Sequence, residues 1–434
     1  MLTPLVDPDK ETREPSINEI LGLPEDGIPL GFYSENQHPY QDPVGDDFVT
    51  YRLELGEMQN QHILILGDTG TGKTTFLKHL ARQLVEQDRA VVAFDVQSDI
   101  VQMIEQIEDE ELENLAGSIE LGLWEDWDWW DSEAETVMNA TMDADQYRIL
   151  APVLDNDGDY NQTRIDQVEA WCDDRDIEFD TFSLNFNSVN PRRLPVYMPE
   201  LTDKAQNTLV PLAQYYQNQV GGSLDHFRKW ITQQASWRDD NPRWENDDDN
   251  EIVQTHSSTY GNLLRQLDAL RNLGIFDVHG AEEPPYDDFA EAGVLTIVYL
   301  DHLYYADITS IFEFHIPSLL LNHRNEIPET HTLVDEAHEV IPKGRSGQGN
   351  YADVAASEFS EIAREGRKFD LNLIVSTHKP KDINSVVYSL CGTNVIFRVD
   401  PEDLSTLQPP SRYERMMSGY RTGYAIVNPP GKHA

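Results

Sequence analysis

Cysteine, lysine and long apolar runs are all scarce in this 434-residue chain. The two cysteines, Cys172 and Cys391, stand far apart in different contexts, which excludes a disulfide framework and a cysteine-ligated metal centre. The longest clean apolar stretch, VLTIVYL at 294–300, is far short of the roughly twenty residues of a membrane span. MLTPLVDPDKETREPS, at the start, shows no basic segment followed by an apolar one, so no secretory signal is read there. A soluble, cytoplasmic protein is the expectation. Basic charge is also short: 32 Lys and Arg face 78 Asp and Glu, for a net charge of −46. A nucleic-acid binder normally carries a basic footprint, so composition alone argues against one. The acid is spread along the chain, and only 10 of the 32 basic residues are lysine. Both features fit a halophilic protein, whose carboxylates keep its surface hydrated in molar salt.

Apolar patterning divides the chain. Residues 1–55 are rich in Pro, Asp and Asn and read as an extended N-terminal arm, packed against a neighbour. HILILG (62–67) and AVVAFDV (90–96) are short continuous apolar runs, the mark of strands buried on both faces. KTTFLKHLARQLVEQ, between them, has helical spacing. Such runs return as VLTIVYL, TLVDE, LNLIVST (371–377), NVIFRV and GYAIV, with helical segments such as ASEFSEIAREGRKF separating most of them. Buried strands alternating with helices predict an α/β core around a mostly parallel sheet. Residues 56–100 form its first part and 291–434 its second. The block 101–290 holds all eight tryptophans and reads as a mainly helical insertion.

GDTGTGKT (67–74) fits G-x-x-x-x-G-K-[ST] between a buried strand and a helix, the setting a phosphate-binding loop requires. Gly67, Asp68, Thr69, Gly70, Thr71, Gly72, Lys73, Thr74 and Thr75 are therefore the nucleotide-binding candidates. Backbone N–H groups and the helix N-terminus would cradle ATP phosphates, Lys73 would reach the β and γ phosphates, and Thr74 would ligate Mg²⁺. HTLVDEAHEV (331–340) supplies Asp335 at a strand end as a Mg²⁺ ligand, with Glu336 placed to polarise the attacking water. Its DEAH letters suggest a superfamily 2 helicase, but the spacing does not. Asp335 lies 262 positions after Lys73 and only 99 residues follow it, too few for a second helicase lobe. His338 then reads as an ordinary surface helix residue.

ILGDTGTGKTTFL, TLVDEAHEVIP, IAREGRKFDLNLIVSTHKPKDI and LCGTNVIFRV together resemble the HerA/FtsK superfamily of P-loop ATPases, and HerA-like DNA translocases most closely. The resemblance covers roughly 55–105 and 255–430. It implies a RecA-like motor that assembles as a hexameric ring and moves double-stranded DNA, with a nuclease as one candidate partner. Arg364 and Arg367 occupy the block from which the family supplies an arginine finger to the neighbouring subunit; a helix face salt-bridged to Glu361 and Glu365 is the other reading. The family begins with a small β-barrel, which 55 loop-like residues cannot build. The family's usual γ-phosphate-sensing Gln is replaced here by His378.

DNA contact is expected from PKGRSGQGNY (342–351), whose Lys343 and Arg345 sit among three glycines in the first part of a locally basic stretch. Two other functions stay open. One is a virus-packaging or conjugative-transfer ATPase of the same superfamily. The other is a nucleotide-switched assembly module that moves no DNA, which the intact Glu336 disfavours.

Overall fold

A computed structural model describes residues 27–32, 34–35, 38–39, 49–53, 62–98, 100–101, 142–156, 158–246, 250–344, 351–399 and 423–428. In chain order, β1 (Ile28–Phe32) pairs antiparallel with β4 (Thr50–Leu53), and β2 (Ser34–Glu35) with β3 (His38–Pro39). Next come β5 (Ile63–Leu66), α1 (Lys73–Glu86) and β6 (Ala90–Asp95). The following block contains β7 (Tyr147–Pro152), α2 (Gln162–Asp173), β8 (Glu178–Phe182), α3 (Asp203–Gln219) and α4 (Leu224–Gln234). It continues with a meander of β9 (Ser236–Arg238), β10 (Asn241–Glu245) and β11 (Glu251–Gln254), then α5 (Ser257–Asn272) and α6 (Tyr286–Phe289). The last block runs β12 (Leu295–Tyr299), α7 (Ala306–Asn322), β13 (Thr330–Val334), α8 (Ala337–Val340), α9 (Tyr351–Glu365), β14 (Leu371–Thr377), α10 (Ser385–Leu390), β15 (Thr393–Ile396) and β16 (Ile426–Asn428).

Nine strands form one sheet in the order β16-β15-β5-β14-β13-β6-β12-β7-β8, parallel throughout except for the antiparallel β15–β16 pair. Alternation along each strand splits its side chains between two cores. Leu64, Leu66, Val92, Phe94 and Val375 face one, with Phe359 of α9 and Phe312 of α7. Ile63, Ile65, Val91, Ala93 and Ile374 face the other, with Leu77, Leu80 and Leu84 of α1. The continuous apolar runs are therefore strands covered on both faces, as a parallel sheet requires.

Two expectations gain detail. The N-terminal arm packs, in its described parts, on its own chain: Ile28 and Leu53 are buried in the α1 core, and His79 Nε2 lies 2.8 Å from the carbonyl oxygen of Pro29. The block 101–290, expected as a mainly helical insertion, also adds β7 and β8 to the main sheet past β12. The sequence hides β7 because Arg148 interrupts its apolar run. That guanidinium is buried on the strand, 3.0 Å from Glu178 and 2.8 Å from Glu291, and also donates to the carbonyl oxygen of Asp288. The helical part of the block shares a core with the sheet. A buried network of Tyr197, His315 and Glu283, with 2.5 Å contacts at each step, ties it to α7, and Tyr351 Oη of α9 donates to the carbonyl oxygen of Tyr197.

Glu313 lies inside α7 with 3% of its surface exposed. Burial, reinforced by the nearby charge of Glu339, pushes its carboxyl from 4.5 up to about 8. The folded state thus holds a proton that the unfolded chain releases near 4.5. The stability this confers is complete below 4.5 and lost as pH rises through about 8, at up to ~1.4 kcal/mol per pH unit. Chemical denaturation between pH 5 and 8 should show this loss in the wild type relative to Glu313→Gln; parallel pH profiles would exclude it.

Candidate nucleotide-hydrolysis site

The loop between β5 and α1 is shaped by its glycines. Gly70 and Gly72 have φ of +73° and +105°, backbone that side chains with a Cβ avoid. A Cβ at Gly67 would lie 2.7 Å from both Phe397 Cβ and Thr71 Oγ1, so close packing excludes one there. The C-terminal segment braces this loop: the N–H of Asp68 donates to the carbonyl of Arg398 (2.8 Å) and the N–H of Gly423 to that of Thr71 (3.0 Å). At the start of α1 no side chain caps the helix and no acid sits in the first turn, which leaves N–H groups and positive potential for an anion. Lys73 folds over the loop, its Nζ 3.0 Å from the carbonyl oxygen of Asp68. Burial lowers its pKa, while the carboxylates of Glu336, Asp335 and Asp68 oppose that shift.

The sheet brings the second motif to this loop. β14 lies between β5 and β13, and the ends of all three strands open on the same edge. Thr74 Oγ1 accordingly donates to Asp335 Oδ2 at 3.1 Å, across 261 residues of sequence. Two hard oxygen donors at this spacing suit Mg²⁺. The other Asp335 oxygen accepts the N–H of Glu336 at 2.9 Å. Glu336 itself is left-handed (φ 45°, ψ 45°), a conformation uncommon outside glycine and concentrated at functional sites.

Two histidines converge on the Glu336 carboxylate. His378 Nδ1 is 2.7 Å from Oε2, and His338 Nδ1 is 3.4 Å from the same oxygen. Their rings meet edge to face with centroids 4.7 Å apart. His338 also pairs with Thr377 Oγ1 at 3.2 Å, and burial lowers its pKa. The surface role expected for His338 is wrong: it is 7% exposed. The left-handed turn at Glu336 swings the short α8 back toward the end of β14, and four helical residues carry no periodicity from which to read this. His378, expected near the γ-phosphate, stands on Glu336.

Other candidates lie apart. Arg364 and Arg367 are exposed, with no ion pair to Glu361 or Glu365 among the described residues. Glu361 is instead held by Arg193 at 3.1 Å. Arg364 lines a cleft with Pro342, Ser360 and Asn384. Lys343 is exposed, its N–H donating to the carbonyl of Asp382 at 2.6 Å; Arg345 lies outside the described residues.

Residues 42–303, well over half of the chain, match the family model described as "Helicase HerA, central domain". The chain belongs to that family. The match takes in the P-loop and ends before Asp335, so the two motifs meet only in the fold. The "Probable DNA double-strand break repair helicase HerA" of Methanocaldococcus jannaschii is 36% identical over 77 residues. That alignment covers 18% of this chain and 14% of the relative, so the chain spans a small part of that protein's length. VirB4 of Thermoanaerobacter pseudethanolicus has a similar fold, with a TM-score of 0.52 at 13% identity over 94% of this chain and 95% of that one. The chain thus has the RecA-like fold of the HerA/FtsK P-loop superfamily.

Lys73→Ala should weaken binding of a non-hydrolysable ATP analogue on the order of 10²-fold, the usual scale for truncating one partner of a buried charge pair. It should leave the melting temperature nearly unchanged, since Lys73 contributes a desolvated charge rather than packing. Fluorescent-analogue titration checks this, and undiminished affinity would remove the lysine from the site.

Proposed function

We propose that this HerA-family protein is an ATP-driven motor that moves double-stranded DNA as a hexameric ring of identical subunits. The observation that carries the chemistry is the meeting of Thr74, Asp335 and Glu336 at one sheet edge. Loop N–H groups and Lys73 bind the β and γ phosphates. Thr74 and Asp335 hold Mg²⁺, which when bound offsets phosphate charge. Glu336 takes the proton of the water that attacks the γ-phosphorus, while ADP departs. His378 fixes one oxygen of that carboxylate and leaves the other to face the water.

Two features support the remaining steps. Arg364 and Arg367 are exposed and unclaimed by Glu361 or Glu365, as a finger acting on a neighbouring subunit must be. The basic excess near Lys343 and Arg345 provides a DNA contact on an otherwise acidic chain. Ring closure explains how DNA is retained at high salt, where a protein making six to ten phosphate contacts loses roughly 10³–10⁵ in affinity between 50 and 200 mM. The name of the M. jannaschii relative favours a setting in double-strand-break repair, where a nuclease partner would process the ends.

Glu336→Gln should retain ATP binding and lose nearly all turnover. Arg364→Ala and Arg367→Ala, made singly, should show that one of the two lowers turnover by about 10³-fold or more. Mixing that variant with Glu336→Gln should restore partial activity at the interface where both residues are intact. ATPase assays on the mixtures, with double-stranded DNA present, decide the matter. Full turnover by Glu336→Gln would refute the chemistry, and no recovery on mixing would refute action in trans.

A further inference from the structure

The geometry points to a binding site for a borderline transition-metal dication, Zn²⁺ or a close analogue, formed by Glu336, His338 and His378 and separate from the Mg²⁺ ligands Thr74 and Asp335. One oxygen and two imidazole nitrogens, all within 4.8 Å of one another, offer one ligand atom each. Four-coordinate zinc with ligands ~2.0–2.2 Å away places neighbouring ligand atoms about 3.4 Å apart. The His338–Glu336 separation already has that value at 3.4 Å. The His378–Glu336 separation of 2.7 Å must open by about 0.7 Å, a small movement for a side chain 30% exposed.

The backbone is prepared for this. Glu336 stands between β13 and α8, His338 within α8 and His378 just past the end of β14, and the two strands are locked in register, Val334 opposite Val375. His338 Nε2 is buried with no hydrogen-bond partner, and Glu339 Oε1 stands 3.9 Å away. With Nδ1 on the metal, that N–H faces a carboxylate, the outer arrangement that orients metal-bound histidines. Three protein ligands leave a fourth position to water. Two nitrogens and one oxygen favour Zn²⁺, Ni²⁺ or Cu²⁺ over Mg²⁺, which prefers oxygen in octahedral geometry. A cation on Oε2 would draw electron density from the Glu336 carboxylate and weaken it as a proton acceptor, so the bound ion would act as an inhibitor; this consequence, unlike the site, rests on the hydrolytic role proposed above.

The test uses full-length protein stripped with a chelator, free of nucleotide, in high salt with millimolar Mg²⁺ to suppress binding to surface carboxylates. Co²⁺ should bind once per chain with the visible bands of a four-coordinate ion, and Zn²⁺ should displace it. His378→Ala should weaken Zn²⁺ binding tenfold or more, and so should His338→Ala, whose fold is checked by circular dichroism because that residue is buried. Zn²⁺ affinity unchanged in His378→Ala, or Co²⁺ bands absent from the wild type, would overturn the site. Site binding that leaves ATP turnover intact would uphold the site and refute Glu336 as the base.

Discussion

The 3.1 Å contact between Thr74 Oγ1 and Asp335 Oδ2 is the constraint from which the rest of the centre follows. It exists only because β5, β14 and β13 are neighbours in the sheet and end together. A slip of one residue in any of these pairings would turn every side chain of a strand to the opposite core. The two apolar faces therefore fix the chemistry: Ile63 and Ile65 on one side and Leu64 and Leu66 on the other hold the register that brings hydroxyl and carboxylate together. Packing energy is spent on positional accuracy at the sheet edge.

Charge follows a different logic. Positive groups withdrawn from solvent are kept where carboxylates surround them, as with buried Arg148 on β7 between Glu178 and Glu291, and half-buried Arg193 beside Glu358 and Glu361. The exposed arginines at the end of α9 lack such partners among the described residues. On a chain of net charge −46, exposed basic groups left without an ion pair are the ones free to meet an external anion. Glu336 shows the converse. Its carboxylate is held by His378 and approached by His338, and its backbone is held left-handed. A carboxylate held this firmly is preorganised in position.

Much of this was legible in the sequence, for local reasons. The continuous runs at 62–67, 90–96 and 371–377 announce doubly covered strands, and the P-loop declares itself because its glycines, lysine and threonine lie within eight residues. What escaped depends on distant parts of the chain. β7 is masked by Arg148, whose burial is tolerable only because β8 and Glu291 supply partners. β8 is masked because it is an edge strand with an exposed first residue. His338 is buried by a backbone turn that no periodicity encodes, and the place of His378 depends on the register between β13 and β14. The expected DNA loop lies largely in 345–350, outside the described residues.

Translocation is the central claim, and displacement of a third strand tests it most directly. A triplex-forming oligonucleotide is annealed within a long DNA duplex, and its release is followed by fluorescence as protein and ATP are added in high salt. A motor that tracks along duplex DNA releases the oligonucleotide with ATP, after a delay that grows with the length of duplex to be crossed, and releases none with a non-hydrolysable analogue. Vigorous ATP hydrolysis with the third strand left in place at every length would contradict the account.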